Sequence, residues 1–305
     1  MPLRAAAALI LLAAPATAEP PRVVADIAPV HSIVARVMAG VAEPALLIPP
    51  GTSPHAHALR PSEARALQDA DLVVRVGDAL TPGLGDRIAA LADAEVIALA
   101  DAPGVRTLPL REGPGEDHGH GDDAGHDDHG HDHEGGIDPH LWLDPANAAA
   151  WIEAVAGALA ARDPANAAAY EANAAAARSE LAALSEEVAA TLAPVAGRPV
   201  IVFHDAYQYF EAAFGLQVAG AVALSDAAPP GPARLAEIRD AARGAGAVCL
   251  FAEPQFDPGL AAVVAEGTDL PVATLDPLGA ALEPGPGLYP ALLRGLAEAA
   301  AGCAG

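Results

Sequence analysis

Residues 164–192 read P-A-N-A-A-A-Y-E-A-N-A-A-A-A-R-S-E-L-A-A-L-S-E-E-V-A-A-T-L, an alanine-rich run with no glycine and no proline beyond its first residue. At 1.5 Å per residue such a helix is about 43 Å long, enough to cross from one lobe of a molecule to another. A cover helix lying on a single sheet has the same composition. The segment on its carboxyl side decides between them: Pro199-Val200-Ile201-Val202-Phe203-His204 opens a fresh β/α series. The helix is therefore expected to join two such series.

The first series has short apolar runs at 23–27, 45–48, 72–76 and 95–99, with helical patterns at 30–38 and 61–70. The second has apolar runs at 200–203, 216–219, 248–251 and 271–275, with helical patterns at 207–214, 232–244, 258–268 and 289–301. The apolar runs are continuous rather than alternating, as in parallel strands covered by helices on both faces. A helical pattern over 145–192 breaks at Arg162-Asp163-Pro164, where Asp163 and Pro164 repeat the cap-plus-proline start that Asp144 and Pro145 make earlier. The fold class expected is α/β: two parallel-sheet lobes joined by a long connecting helix, with a site in the cleft between them. The expected division is a leader at 1–18, a first lobe at 19–162 with a structureless loop at 112–136, the connecting helix at 163–193, and a second lobe at 194–305.

The leader reading rests on Arg4, the apolar stretch 5–14 and the small-residue site Ala16-Thr17-Ala18. Its removal would leave an exported chain with no membrane span, and retention as an anchor is the alternative. Cys249 and Cys303 suit an oxidising compartment. A bridge between them would close a loop of about 50 residues and contribute on the order of 3 to 4 kcal/mol. Two free thiols are the alternative, and zinc ligation by them is weaker, since neither has a nearby Cys or His in sequence.

The formal charge is −24, and all sixteen basic residues are Arg. That balance excludes nucleic acid, whose binding rests on cationic contacts to phosphate, and favours cations. One segment sharpens this: residues 116–134 read E-D-H-G-H-G-D-D-A-G-H-D-D-H-G-H-D-H-E and hold His118, His120, His126, His129, His131 and His133, six of the chain's eleven histidines. Imidazole and carboxylate suit borderline divalent ions, and the absence of bulky apolar residues denies the segment a core. The reading is a metal-collecting loop; a solvated acidic linker is the alternative.

In open α/β sheets ligands bind beyond the carboxyl ends of the strands. Four metal-ligand types stand there: His55 in the loop after 45–48, His140 just after the His-rich run, His204 directly after 200–203, and Asp276 directly after 271–275. Three imidazoles and one carboxylate satisfy a tetrahedral divalent ion and favour Zn²⁺ over Mn²⁺. Each histidine alone reads as a surface or capping residue; their joint placement points to a site.

The segments Gly51-Thr52-Ser53-Pro54-His55-Ala56-His57-Ala58-Leu59-Arg60-Pro61-Ser62, Asp138-Pro139-His140-Leu141-Trp142-Leu143, Phe203-His204-Asp205-Ala206-Tyr207 and Leu275-Asp276-Pro277-Leu278-Gly279 resemble, in order, the motifs of the zinc/manganese class of periplasmic ABC-transporter substrate-binding proteins. The resemblance covers essentially the whole chain and, with the His-rich insert, is greatest to the high-affinity zinc-uptake branch. It implies His55, His140 and His204 as imidazole ligands and Asp276, or a water, as the fourth. Pro54 stands where some zinc members carry a Glu, and His57 where members often carry an aromatic residue; His57 reads as a neighbour of the site rather than a ligand. Asp205 is expected to orient His204 or its loop, Glu253 to hydrogen-bond within the cleft rather than coordinate, and His31 to be a satisfied helix-start residue. The cysteine pair also resembles a disulfide of that branch.

The function this implies is capture of Zn²⁺ in the periplasm by a monomer that passes it to the membrane permease of an ABC importer, with no enzymatic step. Binding needs neutral imidazoles, so affinity should collapse well below pH ~6.5. The rivals are a manganese-binding relative, a periplasmic zinc buffer or chaperone, and a secreted zinc hydrolase. The last needs a general base beside the metal, for which Glu253 is the one candidate, and the chain has no H-E-x-x-H.

Overall fold

A computed structural model describes residues 19–111, 136–223, 231–266 and 268–305. The leader and the six histidines of the His-rich run lie outside these residues. The first series forms β1 (Val23–Ala25), α1 (Ala28–Val37), β2 (Ala45–Leu46), α2 (Pro61–Gln68), β3 (Leu72–Arg75), α3 (Leu84–Leu91) and β4 (Glu95–Ala98). Two helices come next, α4 (Pro145–Arg162) and α5 (Ala167–Leu192). The second series is β5 (Pro199–His204), α6 (Gln208–Phe214), β6 (Gln217–Ala223), α7 (Pro232–Ala245), β7 (Cys249–Ala252), α8 (Pro258–Ala265), β8 (Val272–Thr274) and α9 (Leu288–Ala304).

The strands build two all-parallel sheets in the orders β2-β1-β3-β4 and β6-β5-β7-β8. Each sheet reverses direction once, between β1 and β3 and between β5 and β7, and a crevice opens at such a point beyond the strand ends. Asp26, the first residue after β1, bridges the first reversal: its carboxylate accepts from Ile27 N and from Val76 N, at 2.8 and 2.7 Å. His204 ends β5, and Glu253 follows β7, so the two flank the second reversal.

The strands are one or two residues shorter at several ends than the apolar runs that announce them, while β6 runs on to Ala223, four residues past its run. Residues Leu47 and Ile48 lie beyond β2 yet still donate to Ala25 O and Asp26 O, so the apolar run tracks the hydrogen bonding better than it tracks the strand. The helix α3 is not among the expected elements, although Leu84, Ile88 and Leu91 share one face and Leu84 and Ile88 are buried; its N-cap is Gly83 at φ +70°, where no side chain caps the turn.

Asp144 caps α4 through Ala146 N at 2.8 Å, as its place before Pro145 foretells. Asp163 behaves otherwise, which corrects the expected start of the long helix. It ends α4, its carboxylate accepts from Asn166 Nδ2 and Tyr170 OH, and α5 begins only at Ala167. The 26 residues of α5 make it about 39 Å long.

The buried stripe of α5 is Tyr170, Ala174, Ala177, Leu181, Leu184, Val188 and Leu192, spaced by threes and fours so that one face stays inside. It packs on α1 and α4 on the first-sheet side and on α9, which follows the second sheet. A single hydrophobic core consequently runs through both lobes, joining Val24 and Val73 of the first sheet to Val200, Val202 and Phe251 of the second. The other face of the second sheet has its own smaller core, Ile201, Phe203, Val222 and Leu250 under Ile238 of α7 and Val264 of α8. Baring Leu181, Leu184 and Val188 by wide lobe opening would cost about 5–9 kcal/mol at about 1.5–3 kcal/mol per side chain. Small rearrangement is therefore the accessible motion.

Cys249, at the amino end of β7, is bridged to Cys303 near the end of α9. The bridge lies at the end of β7 opposite Glu253. Among the described residues no helix is long and apolar enough to cross a membrane.

Candidate metal centre

Two loops and a strand end bring His55, His140 and His204 together. The first leaves β2 through a turn at Gly51, whose φ of +76° demands glycine, and Ser53 Oγ accepts from His55 N at 3.2 Å. It ends at Arg60 and Pro61, where α2 starts. The second is held by Asp138, whose Oδ1 accepts from His140 N at 2.9 Å. Beyond His140, the Trp142 indole donates to Pro277 O at 2.7 Å, and Tyr289 OH donates to Trp142 O at 2.6 Å. The third is simply the last residue of β5. His140 and His204 are buried, and His55 is half-buried.

One potential ligand atom from each histidine lies within 4.8 Å of the other two. His140 Nε2 and His204 Nε2 are 3.1 Å apart. Their far nitrogens are both committed to carboxylates: His140 Nδ1 to Asp138 Oδ1 at 2.7 Å and His204 Nδ1 to Glu253 Oε2 at 3.1 Å. A carboxylate takes a hydrogen bond from the nitrogen facing it, which places a hydrogen on each Nδ1 and turns the two Nε2 atoms to the centre. Two Nε2 atoms at that distance can share a proton or a metal ion. Two nitrogens on one tetrahedral zinc at about 2.0–2.1 Å stand about 3.3–3.4 Å apart, so the observed spacing is already close to that of a zinc site. Trp142 meets His140 edge-on at 5.4 Å between ring centroids, and Phe256 lies 5.9 Å from His204, giving the cluster apolar walls.

Asp276 is not brought into this group. Its Oδ1 accepts from Leu278 N and Gly279 N at 3.2 and 2.9 Å, and its Oδ2 from Ala281 N at 3.4 Å, so the carboxylate serves to fold its own loop. His57 is not in it either. His57 Nε2 is 2.9 Å from Glu63 Oε2, and the same oxygen accepts from Arg60 N at 2.7 Å, which ties the ring to the start of α2. Asp205 turns away from His204, as neighbouring residues of an extended chain do. It pairs instead with Arg111 at 3.3 Å, and Arg111 also reaches Glu211 at 2.5 Å. Burial pushes both carboxyls up, and the Arg111 charge pulls them back. His31 sits in the first turn of α1 with Nε2 3.0 Å from Pro44 O, and burial lowers its pKa, so it is a neutral helix-start residue.

Glu253 Oε2 meets His204 Nδ1 within the cleft. The Tyr207 hydroxyl, fully buried beside Glu253 and Asp276, makes no hydrogen bond of standard geometry; burial first and the Glu253 charge second push it well above the ordinary tyrosine range. Two residues escape sequence reasoning. Asp138 was legible in principle, since D-P-H puts a carboxylate two residues from a histidine; Gln255, which lines the pocket with both amide atoms unpartnered, carries no such signal.

Residues 23–303 match a family model described as "ZnuA: Zinc-uptake complex component A periplasmic". The chain is 47% identical to the high-affinity zinc uptake system protein ZnuA of Paracoccus denitrificans, covering 98% of this chain and 97% of that protein. Identity to the protein of the same name from Brucella abortus is 43%, with 92% and 91% covered. Among solved structures, a ZnuA deletion mutant with zinc bound superposes with a TM-score of 0.74 at 25% identity, over 93% of this chain and 98% of that one. With a family model spanning nearly its whole length and relatives this similar across it, the chain belongs to the ZnuA family of periplasmic zinc-uptake components.

Proposed function

We propose that this protein captures Zn²⁺ in the periplasm at His55, His140 and His204 and hands it to the membrane permease of an ABC importer. The observation that carries the reading is the pair of Nε2 atoms held 3.1 Å apart by carboxylates on their far sides. Uncharged imidazoles select a borderline ion over Mn²⁺, which prefers oxygen. Asp276 or a water completes the coordination; the Asp276 carboxylate accepts from the amides of its own loop, with Oδ2 the less committed oxygen. Zinc is cargo here rather than catalyst. The reading includes a leader at 1–18 removed on export, action as a monomer, and a His-rich segment at 112–136 that collects metal beside the site without setting its selectivity, because selection needs fixed ligand geometry.

The test is metal transfer. Zinc-loaded protein is mixed with membrane vesicles carrying the permease and its ATPase, and in parallel with apo metalloproteins of the same compartment. ATP-dependent appearance of zinc inside the vesicles, lost with the His204→Ala variant, supports the reading. Equal transfer to the apo metalloproteins, with none to the vesicles, would instead identify a zinc chaperone.

A further inference from the structure

His140 belongs to the segment leading into α4, but its orientation is set from the other lobe. Asp138, which grips His140 Nδ1 with Oδ1, has its second oxygen 3.2 Å from Gln208 Nε2, and its backbone carbonyl accepts from Tyr209 OH at 3.0 Å. Gln208 and Tyr209 are the first two residues of α6, which follows β5. The same two side chains reach one step further. Gln208 Nε2 donates to Pro109 O at 3.0 Å, and Leu108 N donates to Tyr209 OH at 2.9 Å.

Pro109 and Ile137 form an antiparallel bridge, closed by Leu110 N to Gly136 O and Asp138 N to Leu108 O, both at 2.8 Å. Arg111, at the end of that ladder, pairs with Asp205 and Glu211. The ladder that carries Asp138 is thus fastened to α6 and to the loop before it by two side-chain hydrogen-bonding residues and one ion-pair cluster. No other hydrogen bond to the Asp138 carboxylate comes from α6 among the described residues.

We infer that Gln208 and Tyr209 are positioning residues for metal capture: they clamp Asp138 from the second lobe, so that the contact between lobes determines where His140 Nε2 points. Through Oδ1 alone, Asp138 is tied only to its own segment, by His140 N and Nδ1. The contacts to its second oxygen and its carbonyl tie it to α6 as well. A slight shift of α6 breaks this clamp without opening the shared core and turns one of three ligands out of line, which supplies a route to release that wide opening does not. The inference rests on the reading of His55, His140 and His204 as the zinc site and concerns how that site is held and let go.

The experiment compares the full mature chain with Gln208→Leu, Asp138→Asn, the pair Gln208→Glu with Asp138→Asn, and His204→Ala. Zinc release is followed after addition of excess chelator, and the Co²⁺-loaded forms are compared by visible absorption, which reads ligand geometry directly. Loss of an outer hydrogen bond to a ligand partner costs at least several-fold, so Gln208→Leu should release zinc about 3- to 10-fold faster and shift the Co²⁺ bands. Asp138→Asn alone sets a donor amide against the Gln208 amide. In the paired variant the new amide donates to the new carboxylate, and release should be slower than in Asp138→Asn alone. Unchanged release and spectrum in Gln208→Leu, or no recovery in the pair, overturns the clamp while leaving the site intact, provided that His204→Ala abolishes tight binding. Tight zinc binding by His204→Ala overturns the site reading itself, and the clamp with it.

Discussion

Replacing Glu253 by Gln should move zinc affinity and apo-protein stability in opposite directions. The Glu253 side chain is 2% exposed; its Oε2 accepts from His204 Nδ1, and its Oε1 has no hydrogen-bond partner. In the metal-free protein this is a buried negative charge with half of its hydrogen-bonding capacity unmet, and removing such a charge from a buried site is neutral or stabilising. The amide that replaces it keeps an oxygen for His204 Nδ1 and offers a donor toward the Tyr207 hydroxyl, so shape and polarity are preserved. With zinc bound, the charge acts the other way, since it fixes the ring and strengthens the opposite nitrogen as a ligand. Loss of such a partner lowers metal affinity about 10- to 100-fold, or about 1.4–2.7 kcal/mol. Competition against a chromophoric chelator measures the affinity, and urea unfolding in the presence of a strong chelator measures the apo stability. Zinc affinity within twofold of the parent, or a parallel fall in both quantities, would refute the reasoning, because a carboxylate with a merely structural role would weaken both together.

Groups away from the centre give two further outcomes. Cys249→Ser with Cys303→Ser opens a loop with a sequence separation of 54; the chain-entropy relation gives a loss of about 4 kcal/mol, seen as a lower urea midpoint, with zinc affinity unchanged because the bridge lies at the far end of β7 from Glu253. The Asp26 carboxyl is raised from 3.8 to about 6 by burial, so between those values the folded protein holds a proton that the unfolded chain has released. Its contribution is full below about pH 4 and is lost as pH rises through about 6, a change of about 3 kcal/mol; urea titrations of the metal-free protein from pH 4 to 7 should show that slope, and Asp26→Asn should flatten it.

The fold was largely legible because its signals are local. Continuous apolar runs, a proline after Asp144 and an uninterrupted helical stretch each report on their own neighbourhood, and the alternation of strands and helices then limits the topology. Where the reading slipped, the deciding contact was not local. Asp163 resembles a cap, but Tyr170, one face further along α5, claims its carboxylate. His204 was legible at a strand end, and His55 and His140 in the loop motifs that hold them, and the structure sets the three side by side; which carboxylate serves which histidine was not. Asp205 adjoins His204 yet pairs with Arg111, whereas Glu253, 49 residues away, reaches it. Carboxylates are assigned by backbone direction and by the other claims on their oxygens, as Asp276 shows by folding its own loop, and neither can be read from spacing.

The most direct test is a competitive zinc titration of the chain from residue 19 onward, beside a variant lacking residues 112–135 and beside His204→Ala. The expected result is one tight site in the parent, the same tight site in the deletion variant with weaker binding removed, and no tight site in His204→Ala. Tight binding retained by His204→Ala, or lost with residues 112–135, would contradict a zinc site built on the three histidines.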